Sequence, residues 1–144
     1  MKLYLDTSAL VKLYVEEEGS ARVRSGVEDA EIVATSEIAY VEARAALARR
    51  RREKAFSLAS YRRLMSDLET DWDTYLTIPA TISVIRDAAA LAERHALRAF
   101  DALHLASAKL LQEDARPEAL LFASWDDTLD RAARHEGFTV LRRR

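Results

Sequence analysis

Four acidic residues, Asp6, Glu42, Asp101 and Asp126, lie next to apolar segments at positions where a carboxylate adds little to packing. Asp6 directly follows the apolar residues 3–5, and Asp126 ends the run "LLFASWD". Carboxylates that converge repel one another by roughly 4 kcal/mol per pair at ~4 Å and an effective dielectric constant of about 20. A cluster of these acids would therefore need protons or a divalent cation to compensate its charge.

The available donor types indicate which cation that would be. The chain has no cysteine and only three histidines, and these form no convincing ligand pair. Carboxylate oxygens are the ligands of Mg²⁺ or Mn²⁺ rather than of Zn²⁺. Such an ion polarises a phosphoryl group and activates water. The acids thus predict hydrolysis of a phosphate ester.

Each acid also has a structural explanation, which the sequence leaves open. Asp6 and Asp126 could cap the helices that follow them. Asp101 could compensate a helix dipole, and Glu42 could extend into solvent. The four acids are harder to explain structurally as a set, because each meets an apolar element at a place where they could converge.

Short apolar runs alternate with longer helical segments. The pattern predicts strands at residues 3–5, 32–35, 75–78, 120–124 and 138–141. It predicts helices at residues 9–17, 20–28, 36–52, 54–71, 81–95, 100–113 and 127–136. Thr35 or Ser36 could cap the third helix and Thr81 the fifth, and Gly137 should end the last. Such alternation predicts a parallel sheet covered on both faces, with ligands bound beyond the carboxyl ends of its strands.

Length and composition limit the class of protein. A chain of 144 residues suits one domain, which we expect to span residues 1–144. The net charge of −2 argues against nucleic-acid binding by bulk charge alone, although 18 of the 22 basic residues are arginine, the better ligand for phosphate. We expect no membrane span and no secretory signal. The absence of cysteine suits a cytoplasmic location.

Four motifs in chain order, "LYLDTSAL", "SEIAYVEARAAL", "LRAFDALHLASA" and "ASWDDTL", resemble PIN-domain ribonucleases, specifically toxins of the VapC type. The resemblance covers residue 1 to about residue 141, and the third motif is the most specific. It implies a Rossmann-like three-layer α/β/α fold with a parallel sheet of about five strands. It further implies a Mg²⁺-dependent endoribonuclease, with Mn²⁺ able to substitute, a small VapB-like antitoxin partner and a homodimer.

The resemblance also assigns roles to residues. Asp6, Glu42, Asp101 and Asp126 match the four acids of the family in order. Asp6 and Asp101 would be direct metal ligands, Glu42 would position water or a second ion, and Asp126 would bind through water or hold the shape of the cluster. Ser8 matches the small hydroxyl that supports the first acid or the scissile phosphate. The implied reaction is in-line attack of water on phosphorus, which leaves a 5′-phosphate. Asp127 and Asp130, close to the fourth acid, remain possible contributors.

Two other functions compete with the toxin ribonuclease. One is another PIN-type nuclease or metal-dependent phosphoesterase outside a toxin pair. The other is a non-catalytic PIN module that binds RNA or a protein, which the loss of one of the four acids would have favoured. A dinucleotide-binding protein is excluded because the chain has no Gly-x-Gly-x-x-Gly motif.

The remaining expectations concern surfaces. Helical spacing places Val41 and Ala45 on the same face as Ile38, with Glu42 at its margin and Tyr40 and Leu47 roughly opposite, which favours self-association.

The first two helices, around Leu10, Leu13, Tyr14 and Val23, could form a groove for the antitoxin, or these side chains could be ordinary core. Arg98, just before the helix of Asp101, is a candidate phosphate contact. The run Arg49, Arg50, Arg51, Arg52 is better explained as a helix C-terminus than as an RNA-binding site.

Overall fold

Five strands and seven helices alternate along the residues that the computed structural model describes, which are 1–113 and 119–143. In chain order they are β1 (Lys2–Leu5), α1 (Thr7–Val11), α2 (Ser20–Asp29), β2 (Ile32–Ser36), α3 (Ile38–Arg52), α4 (Leu58–Trp72), β3 (Leu76–Ile78), α5 (Ile82–His95), α6 (Ala99–Glu113), β4 (Leu120–Ala123), α7 (Asp127–His135) and β5 (Thr139–Val140).

The strands form one sheet in the order β3-β2-β1-β4-β5, and every neighbouring pair is parallel. β1 is the central strand, and both of its faces are buried. Tyr4 points to one face and Leu3 and Leu5 to the other, as the two-residue period of a strand requires. Because the strands are parallel, their carboxyl ends lie at one edge of the sheet.

The two faces of the sheet carry separate apolar cores. Tyr4 and Phe122 pack with α5, α6 and α7 on one side. Leu3 and Leu5 pack with α1, α2, α3 and α4 on the other. This arrangement is the predicted three-layer α/β/α fold with a five-stranded parallel sheet. Within the described part of the chain, no helix is long and apolar enough to cross a membrane.

Several local predictions are confirmed. The Thr81 side chain caps α5 by accepting a hydrogen bond from the backbone N–H of Val84. Gly137 follows α7 with a φ of 90°, a backbone conformation that glycine adopts without steric cost.

Three helix predictions were wrong in detail. The first helix spans Thr7–Val11 rather than residues 9–17, and the fourth begins at Leu58 rather than residue 54. Thr35 does not cap α3, because its hydroxyl donates to the backbone carbonyl of Leu5 on the neighbouring strand. The residue at the N-cap is Glu37, whose side chain makes no capping bond, although the Ser36 hydroxyl accepts a weak bond from the N–H of Ile38.

The buried face of α3 also differs from the prediction. Ala39, Ala43 and Leu47 are the buried residues, whereas Val41 is 62 % exposed. Small alanine side chains let the helix backbone approach its neighbours closely, which the larger Val41 would prevent. Leu47 belongs to the core, so the expected second apolar face does not exist in the form proposed.

Candidate active site

The four acids predicted from the sequence line one cavity at the carboxyl edge of the sheet, with a volume of about 360 Å³. Asp6 follows β1 and Asp126 lies beyond the end of the adjacent strand β4. Glu42 comes from α3, and Asp101 from the first turn of α6. The fold thus brings together side chains that lie as much as 120 residues apart in the chain.

Asp6 is buried and held by its own turn. Its carboxylate oxygen Oδ1 accepts hydrogen bonds from the Ser8 hydroxyl at 2.7 Å and from the Ala9 N–H at 2.8 Å, so it caps α1. Burial raises the pKa of Asp6, while His104 and these hydrogen bonds act in the opposite direction. Ser8 also accepts a bond from the N–H of Trp125 at 2.9 Å, and it thereby joins Asp6 to the end of β4.

Glu42 is fixed by a network that crosses three layers of the fold. Its Oε1 atom accepts from the Thr7 hydroxyl at 2.6 Å and from His104 Nε2 at 2.9 Å. A carboxylate only accepts, so Nε2 must carry a proton. The other ring nitrogen, Nδ1, lies 2.8 Å from the hydroxyl of Tyr4 in the buried centre of β1. Partial burial acts to raise the pKa of Glu42, but the hydrogen bonds from His104 and Thr7 outweigh it and lower the pKa.

Asp101 and Asp126 share one cation. Arg98 donates from Nε to Asp101 at 3.0 Å and from Nη2 to Asp126 at 3.4 Å. The Arg98 side chain is 79 % exposed, so it is held by little besides these two acids. Asp126 also caps α7, since its Oδ1 accepts from the N–H of Leu129. The sequence indicated Arg98 as a candidate phosphate contact, and in the structure it pairs with two of the acids instead.

The donor atoms of this cavity suit a metal ion, but their present geometry does not. Four carboxylates on one cavity supply the hard oxygen donors that Mg²⁺ and Mn²⁺ prefer. Within residues 1–113 and 119–143, however, no three His, Asp or Glu side chains converge closely enough to hold an ion. The guanidinium of Arg98 lies between two of the acids instead. Because that side chain is mostly in solvent, its movement would let Asp101 and Asp126 approach a cation.

Asp127 and Asp130, which the sequence left open, lie outside the cavity. Arg143 donates to Asp127 at 2.7 Å and to Asp130 at 2.8 Å. Burial raises the pKa of Asp130 to about 6 despite the neighbouring Arg143. These acids therefore form an ion-pair cluster with the C-terminal segment and not a part of the carboxylate site.

The antitoxin groove expected on the first two helices is also not found as described. Leu10 and Val23 are fully buried, and Tyr14 is 8 % exposed. The Tyr14 hydroxyl is bonded to Asp71 and Tyr75. These side chains belong to the core between the sheet and α3 and α4.

The cavity includes residues that were not assigned to it from the sequence. They include Thr7, His104, Lys12, Glu17 and Arg50. Thr7 sits between two assigned residues in "DTS", and His104 lies one turn after Asp101 in "DALH", so proximity to the motifs was their signal. Lys12, Glu17 and Arg50 carry no motif. Glu17 pairs with Lys12 at 3.0 Å and with Arg50 at 2.9 Å, a contact that depends on tertiary structure.

Comparison with known proteins identifies the family. The family model described as "PIN domain" matches residues 3–135. The chain is 34 % identical to Ribonuclease VapC45 of Mycobacterium tuberculosis over 142 aligned residues. The alignment covers 96 % of this chain and 93 % of that protein. The chain belongs to the PIN-domain family and is of the VapC type.

Solved structures agree with this fold. A toxin–antitoxin complex from Klebsiella pneumoniae superposes with a TM-score of 0.64 at 18 % identity, covering 99 % of this chain and 98 % of that one. The VapBC-5 toxin–antitoxin structure from M. tuberculosis gives 0.61 at 20 % identity and covers 98 % of both chains. At these identities the likeness establishes the three-layer architecture of this PIN protein.

Proposed function

We propose that this protein is a metal-dependent endoribonuclease that acts as the toxin of a toxin–antitoxin pair, with residues 1–144 forming its single PIN domain. The observation that carries the proposal is the convergence of Asp6, Glu42, Asp101 and Asp126 on one cavity at the carboxyl edge of the sheet. Its relative VapC45, named a ribonuclease, supports RNA as the substrate. We expect the protein to act in the cytoplasm, where RNA is abundant.

The cofactor in this proposal is Mg²⁺, with Mn²⁺ able to replace it. Asp6 and Asp101 would be its direct ligands, and Asp126 would bind through water. When bound, such an ion stabilises charge on the phosphoryl group and lowers the pKa of water.

The chain's own residues would supply positioning. Glu42, kept anionic by its lowered pKa, would orient the attacking water. Ser8 would hold Asp6 at the angle that its hydrogen bond fixes. Arg98, released from Asp101 and Asp126, would contact the scissile phosphate, because a guanidinium donates in a fork that matches phosphate.

Cleavage assays with matched variants test the ribonuclease proposal. Wild-type protein should cleave cellular RNA with Mg²⁺, leave 5′-phosphate ends on sequencing, and lose activity in EDTA. Asp6→Asn should abolish cleavage, whereas Asp127→Asn should cleave normally because Asp127 is exposed and outside the cavity. Cleavage by Asp6→Asn, or by the wild type in EDTA, at a rate close to that of the wild type with Mg²⁺ would refute the proposal.

The metal site has a readout that does not depend on activity. Calorimetry should detect Mn²⁺ binding to the wild type and lose it in the double variant Asp6→Ala/Asp101→Ala. Added Mg²⁺ or Mn²⁺ should also raise the melting temperature of the wild type alone. Equal Mn²⁺ binding by both proteins would place the ion elsewhere.

We propose a VapB-like antitoxin as the partner, encoded beside this gene. A basic side chain of the partner could enter the cavity and pair with Asp6, Glu42 or Asp101. Arg98 already pairs with Asp101 and Asp126, so a guanidinium fits against two of the acids of this cavity. Co-expression with the neighbouring reading frame should yield a complex with reduced cleavage. If the neighbour does not co-purify and leaves cleavage unchanged, the protein is a PIN nuclease outside a toxin pair.

We propose a homodimer on a different basis from the one that the sequence suggested. Val41, Ile82, Ile85 and Phe100 are between 49 and 71 % exposed, which is unusual for large apolar side chains. Ile85 and its α5 neighbours line an apolar groove against α6. Light scattering should report a dimer at micromolar concentration, and Phe100→Glu should shift it to a monomer. A wild-type monomer would remove this part of the proposal.

A further inference from the structure

Residues 49–63, here called the basic segment, hold a large excess of positive charge. Seven residues are basic and only Glu53 is acidic, which gives a net charge of +6 in 15 residues. The other 129 residues carry 15 basic and 23 acidic side chains, a net charge of −8. The total of −2 therefore hides a protein with one strongly basic region. Charge segregated in this way is typical of a surface that binds a polyanion.

Helix-dipole compensation explains only part of this charge. Arg49, Arg50, Arg51 and Arg52 lie in the last turn of α3, where cations are favourable. Lys54 lies in the loop that follows, and Arg62 and Arg63 lie in the N-terminal half of α4, where a cation gains nothing from the dipole.

Most of these cations have no acidic partner among the residues that the structure describes. Arg49 pairs with Glu53, and Arg50 pairs with Glu17. Among residues 1–113 and 119–143, the structure gives no ion pair to Arg51, Arg52, Lys54, Arg62 or Arg63. Their mutual repulsion is an unfavourable term in the free protein that a bound polyanion would relieve.

The basic segment includes two aromatic rings, half-buried against the core, beside the charges. Phe56 and Tyr61 stack with ring centroids 6.2 Å apart, and the Arg51 guanidinium lies 5.3 Å from the Tyr61 ring. An open cavity of about 620 Å³ is lined by Arg51, Arg52, Lys54 and Phe56. Aromatic rings and arginine planes stack on bases, while lysine and arginine charges follow the phosphates of a single strand.

One helix connects this surface to the carboxylate cavity. Glu42, Ala46 and Arg50 lie four residues apart on α3 and all line the cavity. The eight residues from Glu42 to Arg50 span about 12 Å of helix. Arg50 therefore belongs both to the lining of the cavity and to the basic segment.

We propose that the basic segment is the binding surface for single-stranded RNA leading into the carboxylate cavity. This inference rests on the proposed ribonuclease function and adds the path of the substrate. The RNA backbone would lie along Arg51, Arg52, Lys54 and Arg62, with bases against Phe56 and Tyr61. A single strand is favoured over an acidic protein because the surface combines stacking rings with fork-shaped cations.

Binding measured without cleavage tests the proposal. The probe is a fluorescent single-stranded RNA of about 20 nucleotides, longer than a typical site of ~4–16 nucleotides. Anisotropy in the Asp6→Asn background would give the Kd between ~50 and ~200 mM salt. The test variant adds Arg52→Ala, Lys54→Ala and Arg62→Ala. The control instead adds Arg86→Ala, Arg131→Ala and Arg134→Ala, which removes the same charge from exposed positions elsewhere.

The test variant should bind RNA about 10- to 100-fold more weakly near ~0.1 M salt, and its salt slope should fall by about 2, since each lost contact contributes ~0.7. The control should bind like the parent, and melting temperatures should show that all three proteins are folded. Equal affinity of parent and test variant, or equal losses in test and control, would overturn the proposal.

Two further outcomes separate this proposal from its alternatives. If the test variant keeps its RNA affinity but loses binding to a glutamate-rich peptide, the segment docks an acidic protein and the RNA path is wrong. If RNA binding depends on the segment but the wild type never cleaves RNA, the proposed ribonuclease function fails while the binding surface stands. Cleavage by the wild type with RNA binding insensitive to the segment leaves the enzyme and removes only this inference.

Discussion

The two halves of the carboxylate cavity are built differently. On one side Asp6 and Glu42 are held by short hydrogen bonds from Ser8, Thr7 and the buried His104. On the other side Asp101 and Asp126 share only the exposed Arg98 across the opening. The first half, here called the buried half after the buried Asp6 and His104, has its geometry fixed by these hydrogen bonds. In the second, the open half, one side chain in solvent links the two acids, although Asp126 is also held as the cap of α7.

This difference indicates how the site would work. Fixed donors in a buried environment lose little free energy to reorganisation when a ligand arrives. An exposed ion pair contributes little stability and exchanges readily with other charges. We therefore expect the buried half to define where an ion and a water molecule sit, and the open half to admit or exclude them.

The largest difference should appear when one acid from each half is neutralised. Asp6→Asn should lower the cleavage rate about 10³-fold or more, the scale of removing a fixed electrostatic group from an active site. Asp126→Asn should cost only about 10- to 100-fold, as expected for a group that acts through another ligand. Single-turnover cleavage of one RNA by both variants measures this, and a larger loss for Asp126→Asn would reverse the assigned roles.

His104 tests whether the buried half depends on its network. His104→Leu should reduce cleavage about 10- to 100-fold, as for loss of an outer-shell partner. It should also lower the free energy of unfolding by about 1–3 kcal/mol, because the Tyr4 hydroxyl and Glu42 lose a buried partner. His104→Gln, which keeps a donor for Glu42, should recover part of the activity.

Denaturant unfolding and cleavage assays of the two His104 variants separate positioning from packing. Equal activity of the leucine and glutamine variants at matched stability would mean that His104 only fills space.

Arg98 gives the corresponding test of the open half. Arg98→Ala should change the free energy of unfolding by no more than about 1 kcal/mol, since its ion pairs are largely exposed. It should tighten Mn²⁺ binding several-fold, because a competing cation is removed, while RNA cleavage falls. Calorimetry with Arg86→Ala as the control measures the change in Mn²⁺ binding. Weaker Mn²⁺ binding by Arg98→Ala would show that Arg98 organises the acids instead of competing for them.

The smallest effect concerns the pH dependence of stability. Burial raises the pKa of Asp6 in the folded protein, so its ionised form opposes folding once the pH exceeds the unfolded value. In metal-free protein, Asp6→Asn should therefore be slightly more stable than the wild type at pH 7. The gain should shrink as the pH falls and the wild-type carboxyl takes up its proton. Melting curves across this range check the sign, and a variant that unfolds at pH 7 would identify Asp6 as a purely structural cap.

The sequence alone predicted some residues of the site and not others. Asp6 and Asp126 were found because each follows an apolar run, and parallel strands bring such positions to one edge. Glu42 and Asp101 were found as acids in helices whose neighbours are mostly apolar or small, and the family motifs then included them. The fold places all four acids on one cavity. Their catalytic and metal-binding roles stay predictions. The pairing of Arg98 with Asp101 and Asp126 could not be predicted from the sequence, because an exposed arginine has many rotamers and only the nearby acids select one.

Local chemistry in the sequence determined the alternation of strands and helices, the cap at Thr81, the stop at Gly137 and the acids at strand ends. These features depend on hydrogen bonds or periodicities within a few residues. Tertiary structure alone decided which face of α3 is buried and which residues hold Glu42. An alanine-rich helix has several faces of similar hydrophobicity. The face with Ala39 and Ala43 is the buried one because these small side chains allow the closest approach to the neighbouring elements. The bond between Tyr4 and His104 joins residues 100 positions apart, and only the packing of α6 against the sheet brings them together.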